Sequence, residues 1–220
     1  MDFQSLLLKF ILLIPPMLLA ITLHEMAHGW MAYRLGDSTA KDAGRLTLNP
    51  FKHLDPFGTL AFVITQRIGW AKPVPVNPFN LKNPRKDMMW IAMAGPLTNL
   101  TVALICGLLV RFIGSISLEP DATFLLGILK PIFLMLRLGV ILNCGLAVFN
   151  AIPIPPLDGS SILMGFLPQA QAEIYAKLEP YGFILLFIIL FLPGVRDVFL
   201  GGVIYPVVGF LVALFLGSLT

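Results

Sequence analysis

With 220 residues, 57% of them apolar and only 12% charged, the chain carries about half the charge of a soluble domain, which excludes an ordinary water-soluble globule. Its mean hydropathy of +0.87 points to a membrane chain whose spans are apolar runs of about 20 residues. The net charge of +3 says little, but nine of the fifteen Lys and Arg lie between Arg34 and Lys86, which marks a cytoplasmic segment and no nucleic-acid module.

The first apolar run extends from about Leu6 to Tyr33. Pro15 and Pro16 predict a kink or a late helix start there, and Gly36 suits the helix end. Neither a basic n-region nor a clear cleavage site precedes the run, so it reads as a retained span. Residues 34–87 are more polar and rich in Pro and Gly. Within them Phe57 to Ile68 is apolar, yet too short as a helix to cross a core of roughly 30 Å. The following Gly69-Trp70-Ala71-Lys72-Pro73-Val74-Pro75-Val76 alternates valine and proline, which disfavours helix and predicts a hairpin or re-entrant piece near the membrane surface.

A second span is predicted from about Met88 to Ile113, then an acidic loop with Glu119 and Asp121, then a third span from about Phe124 to Ile152. Lys130 and Arg137 in the third span are expected to face protein or water, or to snorkel. Pro153-Ile154-Pro155-Pro156 breaks that helix, and residues 168–180 read as a short amphipathic helix. From Tyr181 the chain is apolar, broken at Pro193-Gly194 and Asp197, and forms a fourth and a fifth span. Cys106 and Cys144 fall inside apolar runs and read as buried thiols with neither a disulfide nor a zinc role. The expected fold is an all-α polytopic membrane protein of about five transmembrane helices, a single domain over 1–220.

The chemistry concentrates in His24-Glu25-Met26-Ala27-His28. Two His at i and i+4 share one helix face and can reach one metal, and the intervening Glu suits a general base toward water. With three His and four Glu in the chain, chance produces this pattern on the order of once in a thousand such sequences. The bland alternative is a pair of packed, hydrogen-bonded histidines. Burying two His and a Glu within five residues of a span without a use is costly, so the metal reading prevails. A zinc site needs a third protein ligand. Asp158, after the Pro-rich turn, and His53, in the polar loop, are the candidates. Three crossings put Asp158 on the face of His28, which favours it, while a loop His is commonly a surface residue.

These residues resemble the site-2 protease family of intramembrane zinc metalloproteases, in the compact bacterial and archaeal form without a PDZ or CBS domain. The resemblance covers nearly the whole chain. It rests on His24-Glu25-Met26-Ala27-His28, Asn49-Pro50 with His53-Leu54-Asp55-Pro56-Phe57-Gly58-Thr59, Gly69 to Val76, Ala94-Gly95-Pro96-Leu97-Thr98-Asn99, and Phe149-Asn150 leading to Pro156-Leu157-Asp158-Gly159. It implies His24, His28 and Asp158 as Zn2+ ligands and Glu25 as catalytic base. It implies Asn150 and Asn99 as donors to the substrate backbone or oxyanion. The Trp70–Val76 stretch would be the family's membrane-associated β-hairpin, with Val74 and Val76 offering an edge to an extended substrate.

The expected activity is hydrolysis of peptide bonds within or near transmembrane segments of membrane-protein substrates. The expected setting is the cell membrane, multi-pass, with the active site toward the cytoplasmic side. The partners are a transmembrane-helix substrate and the lipid bilayer, with no nucleic acid, and the sequence is compatible with a homo-oligomer. The rival readings are a catalytically silent binder of membrane helices and a metal-handling membrane protein. The spans hold too few acidic and His positions for a conduction path, and the intact Glu25 opposes a silent binder.

Overall fold

The computed structural model describes residues 3–65, 69–116 and 123–217. Helix α1 spans Phe3–Arg34 and runs without a break through Pro15 and Pro16. The helix therefore starts well before the two prolines, which corrects the late start expected there. A membrane helix tolerates proline where neighbouring helices or small local adjustments re-satisfy the freed carbonyls. The helix stops where Gly36 adopts φ +112°, a conformation that a side chain disfavours.

A polar segment follows, with one helical turn, α2 (Thr39–Asp42), and the ten-residue helix α3 (Pro56–Thr65). The loop is built around buried polar side chains. Asp37 is fully buried and accepts from Thr39 N–H and Oγ, from Asn77 N–H at 2.7 Å and from Asn80 Nδ2 at 2.7 Å. Burial pushes the Asp37 carboxyl up, but the hydrogen bonds from Thr39, Asn77 and Asn80 outweigh it and hold it below the ordinary 3.8. His53 is also fully buried, with Nε2 on Thr47 O at 2.9 Å.

No β-hairpin forms among the described residues, which corrects the expectation for Trp70–Val76. The only pairing there is a single antiparallel bridge, Leu54 to Ala71, with Lys72 N–H donating to His53 O at 2.9 Å. Pro73 and Pro75 leave one edge of the segment without donors, and the next N–H on the side of Lys72, that of Val74, is turned to Glu25 instead of a second rung. Residues 69–77 are instead an irregular strap that begins against Gly58 and Phe62 of α3 and brings Val74 and Val76 against the C-terminal half of α1. Residues 66–68, the end of the predicted Phe57–Ile68 segment, lie outside the described residues.

Helices α4 (Pro84–Gly114) and α5 (Thr123–Asn150) complete a three-helix centre with α1, each packing on the other two. Glu119 and Asp121 of the predicted acidic loop lie outside the described residues. Lys130 is exposed, and the Arg137 guanidinium lies 6.0 Å from the Phe133 ring centroid. The core of this half joins Ala103, Cys106 and Val110 of α4 to Val140 and Cys144 of α5 and to Leu216 near the C-terminus, and both cysteines are free. After the Pro153–Pro156 turn come α6 (Asp158–Phe166), α7 (Gln169–Ala176) and α8 (Gly182–Phe191). The short helix expected at residues 168–180 is present as α7, and a turn followed by a 3₁₀ turn joins it to α8, so that residues 169–191 together make one span-length stretch. A π-helical segment, Asp197–Ile204, leads into α9 (Tyr205–Leu216), which packs on α5 and α4.

Among the described residues five helical stretches are long and apolar enough to cross a membrane: Leu7–Arg34, Pro84–Gly114, Thr123–Asn150, Gln169–Phe191 and Asp197–Leu216. Their outward faces expose large apolar side chains such as Phe124, Phe183 and Phe210, which water would penalise and lipid accepts.

Candidate metal centre

The site forms where α1, α4 and the start of α6 meet. His24 and His28 project from one face of α1, as the i, i+4 spacing requires. Ten residues separate His24 from Arg34 and six separate His28, so the pair lies about 9–15 Å inside the helix end at 1.5 Å per residue. The His24 and His28 Nε2 atoms face each other at 3.0 Å. Asp158, at the first residue of α6, places Oδ2 3.2 Å from His24 Nε2 and Oδ1 3.4 Å from His28 Nε2. Ligand atoms bound tetrahedrally at about 2.0–2.1 Å stand about 3.3–3.4 Å apart, so these separations suit one shared ion. Among the described residues this trio is the only His, Cys, Asp or Glu group able to converge within 4.8 Å.

The outer ring nitrogens are already assigned. His24 Nδ1 meets Asn99 Oδ1 at 2.5 Å, and His28 Nδ1 meets Ile91 O at 2.7 Å. Both partners are acceptors, so each Nδ1 carries the proton and each Nε2 presents a lone pair. Two lone pairs and a carboxylate then face one another in a nearly closed space. Such acceptors crowd together only around a proton or a cation. Asp158 Oδ2 is moreover buried without a hydrogen-bond donor. The donor set and the orphaned oxygen both fit zinc.

Two features keep the rings in place. Asn99 is fully buried, and its Nδ2 donates to Ala20 O at 3.3 Å and to Asn143 Oδ1 at 2.7 Å, while Asn143 Nδ2 donates to Gly139 O at 2.8 Å. The amide of Asn99 is thereby fully used in orienting His24, and a bond to substrate would require breaking this chain. Gly95 is the second feature. A Cβ at that position would lie 2.4 Å from His28 Nε2 and 2.6 Å from His24 Cε1. A glycine inside a helix signals a close approach, and the sequence carried that hint in Ala94-Gly95-Pro96.

Glu25 is half-buried beside the ligands, and its Oε2 accepts from the Val74 N–H at 3.0 Å. The backbone donor expected to meet a substrate strand is therefore already engaged. Val76 packs toward Ala32, Leu81 and Ile91. Asn150, at the end of α5, is half-buried and donates from Nδ2 to Leu146 O at 3.1 Å. His53 stays outside the metal group, with one ring nitrogen spent on Thr47 O.

Comparison with known proteins points to one peptidase family. The model of peptidase family M50 matches residues 12–193. YwhC of Bacillus subtilis, provisionally named a zinc metalloprotease, is 39% identical over 179 residues, which cover 81% of this chain and 79% of the relative. Rip2 of Mycolicibacterium smegmatis, provisionally named in the same way, is 30% identical over 193 residues, or 85% of this chain and 69% of the relative. Rip2 of Mycobacterium tuberculosis is 29% identical over 201 residues, or 87% and 71%. No solved structure gives a significant match.

Proposed function

Because the chain belongs to peptidase family M50, the site-2 protease family, we propose that His24, His28 and Asp158 hold the Zn2+ of an intramembrane metalloprotease and that Glu25 is its catalytic base. One observation carries the assignment. Three ligand atoms lie within 4.8 Å of one another beside a carboxylate in a buried helix junction.

Zinc, when bound, supplies Lewis acidity that polarises a peptide carbonyl and makes water a usable nucleophile near neutral pH. The chain's own residues do the rest. Asn99 and the Ile91 carbonyl keep the imidazole protons on Nδ1, so both Nε2 atoms remain ligands. Glu25 takes the proton of the attacking water on its carboxylate and returns it to the nitrogen of the departing amine. The Val74 N–H holds Oε2 and so fixes the direction of that carboxylate. Asn150 has a single intrahelical tie to give up, and it is the side-chain amide we assign to the substrate backbone or oxyanion. The Asn99 amide has no free donor to offer.

The substrate is a transmembrane segment of another protein, locally unwound because helical hydrogen bonds hide its peptide groups. Residues 69–77 lie close enough to Glu25 for an extended substrate to run beside them, with Val74 and Val76 on the flank. The basic segment between Arg34 and Lys86 supports a site opening toward the cytoplasm, in the cell membrane. Residues 1–220 act as one proteolytic domain.

Replacing Glu25 with Gln tests this reading. Zinc should stay near one per chain while peptide cleavage falls about 10²–10⁴-fold. Cleavage that persists in Glu25→Gln would point to a binder or metal-handling protein contaminated by another protease.

A further inference from the structure

We propose that Arg45 is a positioning residue for the catalytic base, acting through the strap. Its guanidinium holds the carbonyl end of the Pro73–Val74 peptide group and thereby aims the N–H end at Glu25. This rests on the reading of Glu25 as general base.

Arg45 is 6% exposed, and the described residues give it no carboxylate partner. A buried guanidinium without a counter-charge is costly, so its remaining bonds matter. They go to two successive carbonyls: Nη2 donates to Lys72 O at 2.6 Å and Nη1 to Pro73 O at 3.2 Å. The Nε is left without a partner, so the fork is turned wholly toward the strap. A peptide group is planar and, at this position, trans. The Pro73 carbonyl and the Val74 N–H are the two ends of one rigid plate and point in opposite directions. Fixing the oxygen fixes the hydrogen, which meets Glu25 Oε2 at 3.0 Å. Donation to the carbonyl also polarises the amide and strengthens its N–H as a donor.

The strap's composition isolates this one donor. Pro73 and Pro75 flank Val74, lock their own φ angles and offer no competing N–H. The strap does not need Arg45 to stay attached. Lys72 N–H is bound to His53 O at 2.9 Å, and Asn77 N–H to Asp37 Oδ2 at 2.7 Å. Loss of Arg45 therefore frees the 73–74 plate to tilt while both anchors hold. Glu25 then samples directions that do not point at the reacting atoms.

The test compares wild type, Arg45→Ala, Arg45→Lys and Val74→Pro in the full-length, zinc-loaded protein, with labelled β-casein as an unfolded protein substrate. Losing one charge-assisted hydrogen bond predicts a kcat about 10- to 100-fold lower in Arg45→Ala, with KM within about twofold. Arg45→Lys should recover part of kcat, because an ammonium reaches one carbonyl and not both. Val74→Pro removes the N–H and should match the Arg45→Ala loss, with no further loss when the two are combined. Zinc per chain should be unchanged throughout. Within residues 70–77 the Val74 amide should exchange about tenfold faster in Arg45→Ala, while the anchored Lys72 and Asn77 amides and peptides from α4 keep their rates. Unchanged kcat, or unchanged exchange at the Val74 amide, overturns the proposal. Joint loss of zinc, melting temperature and activity, without partial rescue by lysine, overturns it too, since a purely structural role does that. Wild type that holds zinc yet cleaves nothing removes the peptidase reading, and the exchange measurement then still decides whether Arg45 sets the strap's peptide plane.

Discussion

Placing one methyl group at residue 95 should empty the metal site. A Cβ built there lies 2.4 Å from His28 Nε2, 2.5 Å from His28 Cε1 and 2.6 Å from His24 Cε1. Ordinary contact begins near 3.4 Å, so both rings must retreat by about 0.8–1.0 Å. Metal–ligand bonds tolerate only about 0.2 Å. The rings cannot pivot freely either, because Asn99 and the Ile91 carbonyl hold their far nitrogens at 2.5 and 2.7 Å. Gly95→Ala is therefore expected to weaken zinc at least 100-fold, about 2.7 kcal/mol, beyond the tenfold to hundredfold typical of losing a supporting hydrogen bond. The fold itself should lose only about 1–3 kcal/mol to overpacking. The assay is competition with a chromophoric chelator, together with zinc per chain and the melting temperature. Gly145→Ala is the control, since a Cβ there meets nothing within 4 Å on the same kind of helix. Full zinc affinity in Gly95→Ala would refute the packing geometry on which the site is built.

Other perturbations separate the parts of the site. Asn99→Ala removes the acceptor for His24 Nδ1 and strands the Asn143 side chain, so zinc should weaken about 10- to 100-fold and stability fall by about 1–3 kcal/mol. Glu25→Gln should keep zinc and lose cleavage, as read from metal analysis beside substrate digestion. Asp37 has a lowered carboxyl pKa, so its contribution to stability is present above the unfolded value of 3.8 and is lost as pH falls through the folded value. The melting temperature of wild type should accordingly drop more steeply between about pH 5 and about pH 3 than that of Asp37→Asn, which has no such group to protonate. Equal slopes would show that Asp37 does not carry the acid sensitivity of the loop.

The parts of the site that follow from local periodicity were legible in the sequence. The i, i+4 spacing alone places His24 and His28 on one face, and counting crossings brings Asp158 to that face. The spans of α1, α4 and α5 follow from hydrophobic run length. What was not legible depends on partners far away along the chain. The Glu25 bond to Val74 joins residues 49 apart, and Asn99 meets His24 across 75. No local pattern encodes either. The strap was misread as a hairpin because valine alternation suggests a strand, while its prolines empty one edge of donors and the Val74 N–H on the other is taken by Glu25. Pro15 and Pro16 suggested a kink or a late helix start, and α1 starts well before them and continues through both. His53 had the residue type of a ligand, but its burial beside Thr47 could be seen only once the loop was folded.

Metal analysis of the purified, detergent-solubilised protein tests the central claim most directly. Wild type should hold about one zinc per chain, Asp158→Ala should lose it, and His53→Ala should retain it. Zinc retained without Asp158, or lost only when His53 is changed, would contradict the ligand set and with it the proposed catalytic centre.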